Sequence, residues 1–427
     1  MGETLAELRQ TPGMHIAERR IANWAVAYLL LTSVFSPCSS SFQSPESGTY
    51  AVDHNGINLN RTYRLSVPTR YARDGRTALP LIAIFHGWSE DENAFLRYDV
   101  VRKEADERGY ILLAPRGLGD GPPDWSFNSW TFPSSSRGVS ASGQPICDTS
   151  LQENLNYASC VAAGVARNVC SWTQCVDDDM AFVLFLIKHV SSQLSVDASN
   201  IFAAGGSNGG MFTWALGQSA STSPTFRALA SVVGLPFLDD VAPPGRSSPL
   251  PVILVTGSSD PTVPPGAWGS LSPTEAFDGD HYFFSSASTI TKAWADANCQ
   301  ARVGGGAAVD FDEGQGAASD CRTYCVAQRG QWPAVLDCRL DMQHEYRLET
   351  SWPLILDFFD NHRTPSGQNA TADTGEKKAA TTEPPPGPLV ASKSPAQTVN
   401  GVAFFRPPLS LLLCLQLFFA ASWLPRG

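Results

Sequence analysis

The chain has 427 residues, with 30 Lys and Arg against 41 Asp and Glu, giving a formal net charge of −11. So acidic a balance excludes a protein whose affinity rests on gripping nucleic-acid phosphates. With 43% hydrophobic, 10% aromatic and only 17% charged residues, the chain can bury a large core, which excludes disorder along its whole length.

Residues Ile21 to Phe35 are apolar, follow Glu18-Arg19-Arg20 and lead into small residues around Cys38 to Ser41. This order of charged, apolar and small segments marks residues 1–40 as a signal peptide or, if uncleaved, a signal anchor. Either reading exports the rest of the folded chain. Residues 48–362 then alternate short apolar runs with helical patterns, without internal repeat. Strands are expected at 62–67, 81–85, 110–114, 200–204, 228–233 and 251–255. Most are continuous apolar runs, as in parallel strands covered on both faces. A helix is expected over 180–194, with Asp177 to Asp179 at its electropositive start, and another from about Ser351 and Pro353 through Phe359. Strand and helix in alternation predict an α/β chain with a doubly wound, mostly parallel sheet and helices on both faces.

Residues 363–405 hold Pro384-Pro385-Pro386-Gly387-Pro388 among Thr, Ala, Ser and Lys, a composition that reads as a disordered linker or stalk. The tail 406–427 is apolar from Leu409 to Leu424, short of the roughly 20 residues of a membrane span. It reads as a GPI-anchor signal, a tail anchor or an incidental apolar end. Membrane contact is therefore expected only through the terminal segments, and the location as extracellular or cell-surface. Asn60-Arg61-Thr62 and Asn369-Ala370-Thr371 match the N-glycosylation pattern, making Asn60 and Asn369 candidate acceptors.

The sharpest motif is Gly205-Gly206-Ser207-Asn208-Gly209, which follows the strand at 200–204 and opens a helical pattern. A serine on such a strand-to-helix turn is lifted clear of the sheet, with Gly205 and Gly209 where side chains would collide with neighbouring elements. A serine hydroxyl needs a base, and the base an orienting carboxylate. After the strand at 251–255 comes Thr256-Gly257-Ser258-Ser259-Asp260-Pro261, which makes Asp260 the candidate acid. Beyond it lie His281, His344 and His362. His344, in a polar loop before the last helix, is the candidate base, His281 reads as a surface residue, and His362 as a partner of its helix C-terminus. An oxyanion hole needs two backbone N–H groups. Asn208 supplies one, and Trp88, in His86-Gly87-Trp88 after the strand at 81–85, the other.

With these residues in place the chain resembles the secreted polyhydroxybutyrate depolymerase and feruloyl esterase group of α/β-hydrolases. The resemblance rests on Pro80 to Gly87, Val176-Asp177-Asp178, Gly206-Ser207-Asn208-Gly209-Gly210-Met211 and Gly257 to Pro264, and covers about 300 residues. It departs at the base, where Gln343 precedes His344 and Glu345-Tyr346 follow, in place of a preceding glycine and an early Trp-Pro. The resemblance implies an α/β-hydrolase fold with disulfide-bonded insertions. It also implies ester hydrolysis through an acyl-enzyme, with no cofactor and no metal. The implied partner is an ester substrate, a plant cell-wall polysaccharide or a polyester. His86, Gly87, Trp125 and Trp130 are the candidate pocket residues; His86 also shapes its turn, and the aromatic stretch 124–130 that holds the last two either stacks on substrate or packs the core of an insertion. A serine peptidase or lipase on the same scaffold, or an exported binding protein without activity, are the rival readings.

Ten cysteines in an exported chain point to disulfides. Cys147, Cys160, Cys170 and Cys175 form one cluster, and Cys299, Cys321, Cys325 and Cys338 the other, each with three possible pairings.

Overall fold

The computed structural model describes residues 47–365, apart from 55–56, 72–76, 121–126, 151–156, 168, 242, 244–249, 278–280, 300–308, 311–319 and 324–333. The expected signal at 1–40, nearly all of the linker, the apolar tail, Asn369, Trp125 and Cys325 lie outside the described residues, as does the side chain of Cys299. The chain divides into two compact units, 1–369 and 370–427. The second lies wholly outside the described residues, and every described strand and helix belongs to the first.

The strands are β1 (Ser47–His54), β2 (Ile57–Ser66), β3 (Leu79–Phe85), β4 (Ile111–Pro115), β5 (Val196–Gly206), β6 (Ala228–Val232), β7 (Val252–Gly257), β8 (Thr274–Glu275), β9 (Phe283–Phe284), β10 (Val309–Asp310), β11 (Asp320–Thr323) and β12 (Val335–Leu340). The helices are α1 (Asp99–Arg108), α2 (Pro133–Arg137), α3 (Ala158–Ala162), α4 (Asp179–Gln193), α5 (Asn208–Gln218), α6 (Ala287–Cys299) and α7 (Leu348–His362). Ten strands make one sheet in the order β1-β2-β4-β3-β5-β6-β7-β12-β11-β10, while β8 and β9 pair separately. From β4 to β12 the pairing is parallel throughout, and the outer strands on both sides are antiparallel.

Period-two alternation divides the core between the two faces of this sheet. Leu81, Ala83 and Phe85 of β3 pack with Phe182 and Leu186 of α4, Phe212 of α5 and Trp294 of α6. Ile82 and Ile84 pack instead with Val101 of α1 and with Ile355 and Phe359 of α7. Both faces of the parallel strands are thus covered, which is why they read as unbroken apolar runs. A parallel central sheet wound on both sides, with a serine at the β5–α5 turn, is the α/β-hydrolase fold.

All six expected strands are present. Missing from the sequence reading were β1, the antiparallel edge and β12, which is interrupted by Asp337 and Arg339. Both charges are buried, on the face opposite Leu336, Cys338 and Leu340. Helix α7 starts at Leu348, ahead of the expected Ser351, and carries Pro353 inside it. Among the described residues three disulfides are formed, Cys147–Cys170, Cys160–Cys175 and Cys321–Cys338, the last joining directly paired residues of β11 and β12.

Helix α4 begins as its sequence demands. The Asp178 carboxylate caps it by accepting from the N–H groups of Met180 and Ala181, at 2.9 and 3.1 Å. Asp179 turns inward instead, where it is fully buried and pairs with the equally buried Arg61 of β2. Asp177 meets the same guanidinium at 3.0 Å, and the Thr131 N–H donates to Asp179 at 2.8 Å. This cluster ties the sheet edge, α4 and the segment around Trp130 together. Removing one partner leaves a buried charge short of its counterion, so Asp179→Ala should cost about 3–5 kcal/mol, read from urea unfolding, whereas Asp178→Ala should cost only about 1 kcal/mol.

Candidate active site

Parallel strands deliver their carboxyl ends to one edge of the sheet, and the loops after β3, β5, β7 and β12 meet there. Ser207 follows β5 at the sheet centre with φ 52° and ψ −120°, a conformation that costs a non-glycine residue about 1–3 kcal/mol. Two hydrogen bonds hold it: its N–H donates to the Val232 carbonyl of β6, and its carbonyl accepts from the Met211 N–H as α5 begins, both at 2.9 Å. A Cβ on Gly205 would run into the Gly209 backbone, and one on Gly209 into the carbonyls of Phe85 and His86. The two glycines therefore stand where strand, helix and neighbouring strand meet backbone to backbone.

Around this turn the structure brings together Ser207, His344 and Asp260, the three side chains expected from the sequence. His344 Nε2 lies 2.9 Å from Ser207 Oγ, and His344 Nδ1 lies 2.8 Å from Asp260 Oδ2. Asp260 is 3% exposed, and its other oxygen accepts from the N–H groups of Thr262 and Val263, both at 2.9 Å. A carboxylate so placed accepts a hydrogen bond from the Nδ1–H of the imidazole, which leaves Nε2 free to accept from the serine hydroxyl. The acid and base loops are themselves stitched together, because Ser258 N–H donates to the Leu340 carbonyl (2.9 Å) and Ser259 N–H to that of Met342 (3.1 Å). His281 stands apart with Glu275, 3.0 Å away on the surface, and His362 closes α7 against Phe358.

The loop after β3 lies against the nucleophile. A Cβ on Gly87 would come within 3.4 Å of the Ser207 Cβ. This brings Trp88 to the site, while Asn208, first in α5, has a backbone N–H with no acceptor inside the helix. Two of the expected pocket residues lie beneath the site. His86 is buried, with Nδ1 2.7 Å from the Gly87 carbonyl and Nε2 accepting from Gly117 N–H at 2.9 Å, so its ring braces the turn. Trp130 is fully buried among Phe85, His86 and Phe212, because its indole N–H finds the His86 carbonyl at 3.0 Å and the Asn208 amide grips its backbone. The aromatic surface near the site comes instead from Trp88 stacked on the partly exposed Phe127, with ring centres 5.1 Å apart.

Two open clefts flank the acid turn. One of about 690 Å³ is lined by Thr262, Gln343, His344 and Arg347. The other, of about 1370 Å³, runs past Pro264, Trp268 and Phe277, and Ser259, Pro261 and Asp341 line both. Among the described residues no group of three His, Cys, Asp or Glu could hold a metal ion. Glu90 and Tyr346, which no sequence motif marks as a pair, also meet here, the Tyr346 hydroxyl donating to Glu90 Oε2 at 2.5 Å beside the nucleophile.

No family model matches the sequence, and neither does any curated protein. Solved structures similar to this chain include a thermostable esterase, at 17% identity and a TM-score of 0.35, over 59% of this chain and 52% of that one. The match thus spans about half the length of that protein. Others are an acetyl xylan esterase from Aspergillus awamori, at 11% identity and TM-score 0.42 over 74% of this chain and 99% of that one, and an S-formylglutathione hydrolase from Staphylococcus aureus, at 13% identity and TM-score 0.29 over 51% and 82%.

Burial lowers the His86 imidazole from the usual 6.5 to about 4, the hydrogen bond to Gly87 opposing it only partly. The unfolded chain therefore binds a proton between pH 6.5 and 4 that the folded chain refuses, and stability must fall as pH falls through that window. Charging His86 would also abolish its acceptance from Gly117. Urea unfolding at pH 7 and pH 4.5 should show a loss attributable to His86 on the order of 2 kcal/mol, absent from His86→Gln.

Proposed function

We propose that the protein is a serine carboxylic ester hydrolase in which Ser207 is the nucleophile, His344 the base and Asp260 its orienting acid. The observation that carries the reading is the unbroken hydrogen-bonded chain Ser207–His344–Asp260 on a strained strand-to-helix turn. Ser207 Oγ attacks the ester carbonyl carbon while its proton passes to His344 Nε2, and Asp260 stabilises the imidazolium. The oxyanion is received by the N–H groups of Trp88 and Asn208. Collapse breaks the bond to the alcohol, which leaves with the proton from His344, and an acyl-enzyme remains. Water then gives a proton to His344 and its oxygen to the acyl carbon, releasing the acid and restoring the serine.

The acyl group is proposed to be of the feruloyl or hydroxyalkanoate type, carried on a plant cell-wall polysaccharide or in a polyester. The Trp88–Phe127 stack supports this, since it offers a flat apolar face next to the loop that receives the oxyanion. Export is proposed as well, with anchoring through the apolar tail and glycosylation at Asn60, which is exposed. The disulfides Cys147–Cys170, Cys160–Cys175 and Cys321–Cys338 support an oxidising compartment.

A panel of p-nitrophenyl butyrate, methyl ferulate, hydroxybutyrate oligomers, acetylated xylan and a peptide anilide tests the reading. Turnover of esters without the anilide is expected, and Ser207→Ala and His344→Ala should each lower kcat by about 10⁴-fold or more with folding intact. Cleavage of the anilide at a similar rate would favour a peptidase. A folded protein that neither turns over esters nor reacts with a fluorophosphonate would favour a binding protein without activity.

A further inference from the structure

The segment after the base, Glu345-Tyr346, is where this chain departs from the group it resembles, and the structure gives Tyr346 three neighbours that matter. Its ring lies over the end of β5, so that a Cβ on Gly206, the residue before Ser207, would collide with it. Its hydroxyl lies over the oxyanion loop, so that a Cβ on Gly87 would collide there too. Its main chain belongs to the loop of His344 and is fastened to α7, since Ser351 Oγ donates to the Tyr346 carbonyl at 2.6 Å. One side chain therefore touches the nucleophile turn, the oxyanion loop and the base loop.

A shared acceptor closes the arrangement. Glu90 Oε2 accepts hydrogen bonds from the Tyr346 hydroxyl at 2.5 Å and from the Gly87 N–H at 2.7 Å. Glu90 is in turn fixed through its backbone, because its carbonyl accepts from Asn128 Nδ2 at 3.0 Å and the preceding Ser89 N–H donates to the Asn128 carbonyl at 2.7 Å. Burial and the Glu90 charge hold the Tyr346 phenol well above its usual range, so the hydroxyl stays a donor. The ring stacks on Phe95 with centres 4.9 Å apart, a contact that does not depend on the hydroxyl.

We propose that Tyr346 and Glu90 are positioning residues that clamp the base loop to the oxyanion loop, setting the Gly87–Trp88 backbone relative to Ser207 and His344. This rests on the serine-hydrolase reading for its effect on turnover, but not for its effect on the loop. A hydrogen bond with one charged partner is stronger than a neutral one, and a donor misplaced from the oxyanion is lost mainly in the transition state. The clamp therefore acts on kcat and leaves KM nearly untouched.

The test uses the wild-type chain, Tyr346→Phe, Glu90→Ala, Glu90→Gln and the Tyr346→Phe/Glu90→Ala double variant. Tyr346→Phe keeps the stack on Phe95, and melting temperatures confirm that each variant folds. With p-nitrophenyl butyrate, Tyr346→Phe and Glu90→Ala should each lower kcat about tenfold with KM within about twofold. The double variant should be no worse than either, and Glu90→Gln, which keeps a carbonyl acceptor, should recover most of the loss. Hydrogen exchange should show faster exchange of residues 86–90 in Tyr346→Phe, whether or not the ester is hydrolysed. Unchanged exchange there, or losses in kcat that multiply in the double variant, would overturn the clamp. Wild type unreactive with both ester and fluorophosphonate would instead overturn the hydrolase reading, with the exchange result still deciding the clamp.

Discussion

The site depends on keeping one serine in a backbone conformation that serine disfavours. Ser207 holds it because the chain is constrained on every side: β5 is paired with β3 and β6, α5 starts at the next residue, and glycines remove the Cβ atoms that would force these elements apart. The resulting strain points the hydroxyl out of the sheet, away from its own helix and into reach of another loop. Relaxing the turn would return the hydroxyl toward the sheet and break its contact with His344. The fold's large buried core supplies the stability against which so local a cost is small.

Around this turn the protein separates charges by burial. Asp260 is almost wholly buried and keeps three hydrogen-bond donors on its two oxygens, so it can balance an imidazolium in a setting where water screens little. His86, also buried, takes the opposite course: it stays neutral and acts as a brace between two backbone segments. Two histidines close to one serine thus have different tasks because their partners differ, a carboxylate for His344 and only backbone groups for His86.

The parts most legible in the sequence were those fixed by short-range steric need. Gly205-Gly206-Ser207-Asn208-Gly209 after an apolar strand allows few other geometries, and the acidic run Asp177 to Asp179 marks the electropositive start of α4. Asp260 and His344 were readable because chain order and the strand before Asp260 limit the choice. Strand β12 was hidden by the buried Asp337 and Arg339, the latter held by the Gly266 carbonyl and the face of Trp268. Trp130 was ambiguous for a related reason: an aromatic in an irregular segment lines a pocket or fills a core equally well, and its indole N–H found a buried carbonyl. Tyr346 and Glu90 are 256 positions apart, so no local pattern could join them. The disulfide pairing in the first cluster likewise required the folded chain.

The central claim is that an acyl group passes through the oxygen of Ser207. Mixing the protein with p-nitrophenyl butyrate, quenching in acid within the first turnover and mapping the digest by mass spectrometry tests this most directly. A butyryl group on the peptide containing Ser207, decaying at the rate of the next turnover, is the predicted result. Ester turnover with that peptide unmodified and the acyl group on another side chain would contradict the account.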